Sequence, residues 1–186
     1  MIVLFFLGCE DKKIDSDIIS KGVSSSKEAK EAHQNIDRNS YAEILPYLKD
    51  NRVIESDGAK VVLLMFGSNG CKYCDKLKNE IKESKELQNR IKNDFFSYYI
   101  NTSYQKTHSF FSQNLDTQDL AESFAIRSTP TLIFLNPKGE LIFEIVGFMG
   151  GEKLKLALEY IAKNPNLTQE QISEKLYNLF AKKSLL

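Results

Sequence analysis

Six apolar residues, Val61-Val62-Leu63-Leu64-Met65-Phe66, follow one another without alternation. A run of that length predicts a strand covered on both faces. Phe95-Phe96-Ser97-Tyr98-Tyr99-Ile100 predicts a second strand and Thr131-Leu132-Ile133-Phe134-Leu135 a third, the last directly preceded by Thr129-Pro130. Glu140 to Val146 alternates imperfectly after the turn Asn136-Pro137-Lys138-Gly139, which predicts a hairpin partner for that third strand. Between the first two strands, Leu77, Ile81, and Leu87 with Ile91 trace a helical stripe among charged residues, starting after the break Gly67-Ser68-Asn69-Gly70. Asp116 or Thr117 is placed to cap a short helix through Phe124, and a further helix is predicted from about Gly151 to Ala162. Residues 101 to about 115 read as a polar loop that carries Tyr104, His108, Phe110 and Phe111. Strand, helix, strand, helix, strand, strand, helix is the pattern of an α/β domain.

The flanks are different in kind. Ser40-Tyr41-Ala42-Glu43 has the spacing of a capping box and predicts a helix through about Asp50, with Ile44, Leu45 and Leu48 on one side and Pro46 inside it. Thr168-Gln169-Glu170-Gln171 has the same spacing ahead of Ile172, Leu176, Leu179 and Phe180, which predicts an amphipathic helix packed on the domain. Residues 10 to roughly 39 include Ser24-Ser25-Ser26 and few large apolar groups, so they read as a flexible tether. Residues 1 to 8 are apolar but well short of the roughly 20 needed to span a bilayer as a helix. Cys9 follows Phe6, Leu7 and Gly8 and precedes the polar run Glu10-Asp11-Lys12-Lys13. That junction resembles a bacterial lipobox, which implies a signal peptide over residues 1–9 and lipidation of Cys9. Residues 10–39 then form the tether, 40–163 the folded domain and 164–186 a C-terminal helical extension.

The chain has 186 residues with 25 basic and 25 acidic side chains, a balance that gives no general attraction for nucleic acid. Of its three cysteines, Cys71 and Cys74 form a C-x-x-C pair at the predicted start of the helix that follows the buried strand. Unpaired N–H groups and the helix dipole at that position favour a thiolate on Cys71. Cys74, one turn on, is placed to resolve a mixed disulfide. Lys72 adds positive charge beside the pair, and Tyr73 tunes packing and partner contact. Alone, C-x-x-C also suits half of a zinc site. A second pair is absent from the sequence, and His33 and His108 read as solvated surface residues, so no metal is expected.

Over about residues 40 to 163 the sequence resembles the thioredoxin superfamily. The resemblance rests on Val61 to Phe66, Cys71-Lys72-Tyr73-Cys74, Ser128-Thr129-Pro130-Thr131-Leu132-Ile133-Phe134, Asn136-Pro137-Lys138-Gly139 and Gly147. Within it, the N-terminal helix, the Gly70-Cys71-Lys72-Tyr73-Cys74 segment and the insertion before Thr129 look most like SoxW-type periplasmic thioredoxins. The resemblance implies a thioredoxin-like fold with a central mixed sheet flanked by helices. It implies a cis Thr129–Pro130 bond facing Cys71, with both residues shaping a substrate groove. It further implies a periplasmic, lipid-anchored monomer that reduces protein disulfides without a bound cofactor, supplied with electrons by a membrane reductase and making no contact with nucleic acid. A disulfide oxidase or isomerase, or a non-catalytic binding module of the same fold, are the alternatives. Two departures stand out: Gly70 replaces the usual Trp, and Met65 replaces the buried acid of cytosolic thioredoxin. Without that acid, solvent, Lys78 or Glu80 would have to take the proton of Cys74.

Overall fold

The structure is a computed structural model that describes residues 36–186. Cys9, His33, the lipobox and most of the tether lie outside the described residues. Seven strands run in chain order: β1 (Val53–Ile54), β2 (Val62–Gly67), β3 (Phe96–Asn101), β4 (Thr107–Phe110), β5 (Gln113–Asp116), β6 (Thr131–Leu135) and β7 (Leu141–Val146). The helices are α1 (Lys72–Glu83), α2 (Lys85–Asn93), α3 (Thr117–Ser123), α4 (Gly151–Lys163) and α5 (Gln169–Lys182). The central sheet has the order β3-β2-β6-β7, with β2 parallel to β3 and antiparallel to β6, and β6 antiparallel to β7. It is therefore a mixed sheet with helices around it, as the sequence pattern predicts.

The uninterrupted apolar run of β2 has a direct structural cause. Leu63 and Met65 point to one face, where they join Tyr99, Leu132 and Phe134 under α1, α2, α4 and α5. Val62, Leu64 and Phe66 point to the other, joining Tyr98, Ile100 and Ile133 beneath β1 and α3. Successive side chains of a strand alternate between faces, so a strand buried on both sides has no polar position to offer. The C-terminal helix belongs to the first of these cores. Its Thr168 capping box forms as predicted, and Ile172, Leu176 and Phe180 are buried with Leu154, Leu158 and Ile161 of α4.

Four local expectations are corrected. The stripe from Leu77 to Ile91 is two helices divided at Ser84, which ends α1 and caps α2 by accepting the Leu87 N–H at 3.3 Å. The helix expected from Ser40 to Asp50 is instead a 3-10 turn over Leu45–Tyr47, preceded by a helical turn at 36–39. Ser40 Oγ donates to the Asp37 carbonyl at 2.6 Å and accepts from Asn101 Nδ2, so it is not free to cap a helix toward Glu43. Residues 107–116 are a hairpin, not a loop, and β4 adds in parallel to β1 as a small second sheet. Its turn residues Phe111 and Ser112 both have positive φ, 44° and 70°, a backbone normally given to Asn-Gly. The Phe111 ring stands edge-on to Phe110 at 5.0 Å and lies against Gly139, which supplies packing to offset that backbone cost.

His108, expected on the surface, is fully buried. Its Nδ1 faces the Asn51 carbonyl and its Nε2 lies 2.9 Å from Thr117 Oγ1. The Asn51 carbonyl can only accept, so Nδ1 carries the proton and Nε2 accepts the threonine hydroxyl. Burial holds the imidazole pKa below its ordinary value, with the nearby Lys106 charge acting in the same direction. Lys106 itself pairs with Asp37, nearly buried on both sides, and so ties the 36–39 turn to the hairpin.

Candidate active site

Chain direction and turn chemistry bring the two sequence motifs together. β2 ends at Gly67, and Ser68-Asn69-Gly70 turn the chain so that α1 starts directly behind the central strand. Gly70 has φ +68°, with open space where a Cβ would stand. The left-handed backbone is why glycine suits this position. The loop is braced from below: Asn69 N donates to Ser103 Oγ at 2.9 Å, Asn69 Nδ2 to Tyr104 Oη at 2.9 Å, and Asn101 Nδ2 to Asn69 Oδ1 at 2.9 Å. Sequence reasoning read Ser68-Asn69-Gly70 only as a break, and missed Asn101 and Ser103 as its supports.

Cys71 is the N-cap of α1, and its Sγ lies 3.1 Å from the Cys74 backbone N–H. It is joined to Cys74 by a disulfide with a Cα–Cα separation of 5.2 Å. The two sulfurs are not equivalent: Cys71 is half-buried, whereas Cys74 is only 1% exposed. Thr129 and Pro130, some 58 residues away in sequence, are carried to the same spot because β6 pairs with β2 in the register Phe66↔Thr131. The Thr129–Pro130 peptide is cis, and the Thr129 carbonyl oxygen lies 3.3 Å from Cys71 Sγ. Thr129 Oγ1 shares a 2.8 Å hydrogen bond with Ser68 Oγ, which locks the two loops together. The Pro130 carbonyl is taken by Gly147 N at 2.8 Å, at the head of the segment that leads to α4.

Of the residues around the pair, Lys72 and Tyr73 are exposed. The Tyr73 ring stacks on Phe148 at 6.4 Å, and Lys76 Nζ sits 4.4 Å over the same Phe148 ring. Met65 is buried, so no carboxylate stands at that position. Lys78 Nζ lies 2.7 Å from Asp75 Oδ1 and donates to the Ser40 carbonyl, while Glu80 lies against Gly151 at the start of α4. Tyr99, the register partner of Met65, is buried, and its hydroxyl pKa is pushed up by desolvation, reinforced by Asp75 and Asp37.

A thioredoxin-like domain profile matches residues 48–162, well over half of the chain. The chain belongs to the thioredoxin-like family. Among solved structures of thioredoxin-like proteins it is similar to a thioredoxin-fold protein from Helicobacter pylori, with 33% identity over 80% of this chain and 98% of that one, at a TM-score of 0.73. It also matches a thioredoxin from Thermus thermophilus, with 16% identity over 63% of this chain and 92% of that one, TM-score 0.48. The C-terminal domain of DsbD from Neisseria meningitidis matches with 13% identity over 73% and 96%, TM-score 0.43. No curated protein matches by sequence.

Proposed function

We propose that this thioredoxin-like chain is a thiol–disulfide oxidoreductase that reduces disulfides in other proteins. The observation that carries the reading is the division of labour between the sulfurs: the accessible one caps a helix N-terminus beside Thr129, and the buried one waits a turn behind it. In the reduced state, the N–H groups at the start of α1 and the helix dipole stabilise a Cys71 thiolate. That thiolate attacks a substrate disulfide, forming a Cys71–substrate bond and releasing one substrate thiolate. Cys74 then attacks Cys71 Sγ, the mixed disulfide breaks, and the second substrate thiolate leaves. Two electrons pass from the dithiol to the substrate and the Cys71–Cys74 disulfide forms.

The proton of Cys74 has to reach solvent by a route other than a carboxylate at position 65. Lys78 is held in an ion pair with Asp75 and donates to the Ser40 carbonyl, and Glu80 lies against Gly151 at the start of α4, so solvent is the group left to take that proton. The proposed cellular setting is an exported monomer of SoxW type, the type taken from the resemblance and the lipid anchor on Cys9 in the periplasm from the lipobox-like junction. It is re-reduced there by a membrane reductase and makes no contact with nucleic acid. Periplasmic oxidation would otherwise keep the pair as a disulfide.

Insulin reduction by dithiothreitol tests the activity. The wild type accelerates it and Cys71→Ser does not; equal rates would leave a binding module of the same fold. Direction is read from equilibrium with glutathione, where a potential near about −270 mV supports a reductant and one near about −120 mV an oxidant. Intact mass of detergent-extracted protein reads the lipid on Cys9.

A further inference from the structure

A cavity of about 500 Å³ opens beside Thr129, within the range of small-ligand sites. Two of its lining residues belong to the active-site framework: Thr129, whose carbonyl touches Cys71 Sγ, and Ser68, which is bonded to Thr129. The opposite wall comes from Gln105, from Gln118 and Glu122 of α3, and from Arg127. These walls are already ordered: Gln118 N donates to Gln105 Oε1 at 3.2 Å, and Gln118 Nε2 donates to Glu122 Oε1 at 2.8 Å. Glu122 and Arg127 are the two charged residues that line the cavity. Arg127 is exposed and has no ion-pair or hydrogen-bond partner among the described residues. The cavity therefore offers one cation, one anion and a ring of hydroxyls and amides, with Ala121 and Ile126 as a smaller apolar share. Such walls complement a small peptide-like molecule that carries a carboxylate and an ammonium group.

Resting on the oxidoreductase reading above, we propose that this cavity is a subsite for a small zwitterionic peptide thiol, of which glutathione is the probe. Arg127 receives its carboxylate as a two-pronged donor, Glu122 receives its ammonium group, and its sulfur is delivered to Cys71 past Thr129. The exchange balances. The ligand thiolate attacks Cys71 Sγ, a ligand–Cys71 bond forms, the Cys71–Cys74 bond breaks, and Cys74 leaves as a thiolate that takes a proton from solvent. A second ligand thiolate then attacks the ligand sulfur of the mixed disulfide and frees Cys71. Two thiols are oxidised to one ligand disulfide and one protein disulfide is reduced. The reverse sequence oxidises the protein.

The test is stopped-flow oxidation of the reduced full chain by glutathione disulfide and, separately, by the uncharged hydroxyethyl disulfide. Each variant is compared with the wild type on the same disulfide, so that leaving-group differences cancel. Arg127→Gln is expected to slow reaction with glutathione disulfide about tenfold, a modest factor because the guanidinium is in contact with solvent. The same variant should leave hydroxyethyl disulfide within about twofold, Arg127→Lys should recover part of the loss, and Glu122→Gln should slow glutathione disulfide alone. An unchanged rate with glutathione disulfide overturns the proposal. So does an equal fall with both disulfides, which would mean that Arg127 acts on the Cys71 thiolate and not on the ligand. If the wild type reacts with neither disulfide and does not reduce insulin, the oxidoreductase reading itself has failed. If it reacts with hydroxyethyl disulfide and insulin but is blind to Arg127 with glutathione disulfide, this subsite alone has failed.

Discussion

Gly67, the last residue of β2, passes close to the buried Tyr99 ring. A Cβ added there would stand 1.9 Å from Tyr99 Oη, 2.5 Å from Cζ and 3.3 Å from Cε1. Unstrained contacts lie at about 3.5–4.0 Å, so Gly67→Ala requires the ring tip to retreat by roughly 1.5 Å or more. The ring has little room to do so. Tyr99 is 4% exposed, its ring packs on Tyr41 at 4.8 Å, and its carbonyl accepts from the buried Asn51 amide. Its strand is fixed in register by Met65↔Tyr99 and Gly67↔Asn101. The expected cost is about 2–3 kcal/mol, the upper part of the overpacking range. For a chain of this size that is a fall in Tm of roughly 4–12 °C. Urea unfolding with the disulfide intact measures it. A double-mutant cycle with Tyr99→Leu, which removes the clashing atoms, should show the pair less destabilised than the sum of the singles by about 1–2 kcal/mol. Strict additivity, or a Gly67→Ala protein within about 0.5 kcal/mol of wild type, would refute the steric reasoning.

Three further outcomes follow from the buried groups. Because the folded His108 pKa is depressed, the unfolded chain takes up a proton first as pH falls below about 6.5, so stability declines from there toward the lower folded pKa. In urea unfolding between pH 8 and 5, His108→Gln should flatten that decline, and an unchanged slope would mean that the imidazole does not carry it. Lys106→Met leaves Asp37 buried without its cation, with Asp37 Oδ1 already unpartnered, and should cost about 3–5 kcal/mol. Asp37→Leu in the same chain should recover most of that loss, and no recovery would contradict the pairing. Ile172→Ala should cost about 2–5 kcal/mol of global stability, because α5 shares the main core. A selective loss of α5 helicity with the rest of the transition unmoved would argue for a separate appendage.

What could be read in advance divides along physical lines. The central strands, α4 and α5 were legible because burial on both faces, a capping box and turn residues leave strong local patterns, whereas the meeting of Cys71 with Thr129 and Pro130 was implied only by the resemblance to the thioredoxin superfamily. The 107–116 hairpin was not, because its turn is made by Phe111 and Ser112, whose positive φ is offset by aromatic packing that no local pattern records. His108 escaped for a similar reason. Thr107, His108 and Ser109 look like a solvated stretch, yet the imidazole is satisfied by Asn51 and Thr117 from distant parts of the chain. The split at Ser84 was visible in hindsight, since the step of six from Ile81 to Leu87 fits no helical spacing. At the site itself, Gly70 was noticed as a departure, but its reason, a left-handed backbone, belongs to the fold.

The central claim is that Cys71, and not Cys74, is the sulfur made reactive by its place at the head of α1. The pH dependence of iodoacetamide alkylation in the reduced chain, with the modified residue located by peptide mass, tests it most directly. The account predicts that Cys71 is labelled first, along a titration curve centred well below the roughly 8.5 of an ordinary thiol. Labelling of Cys74 ahead of Cys71, or a Cys71 curve centred at about 8.5 or above, would contradict it.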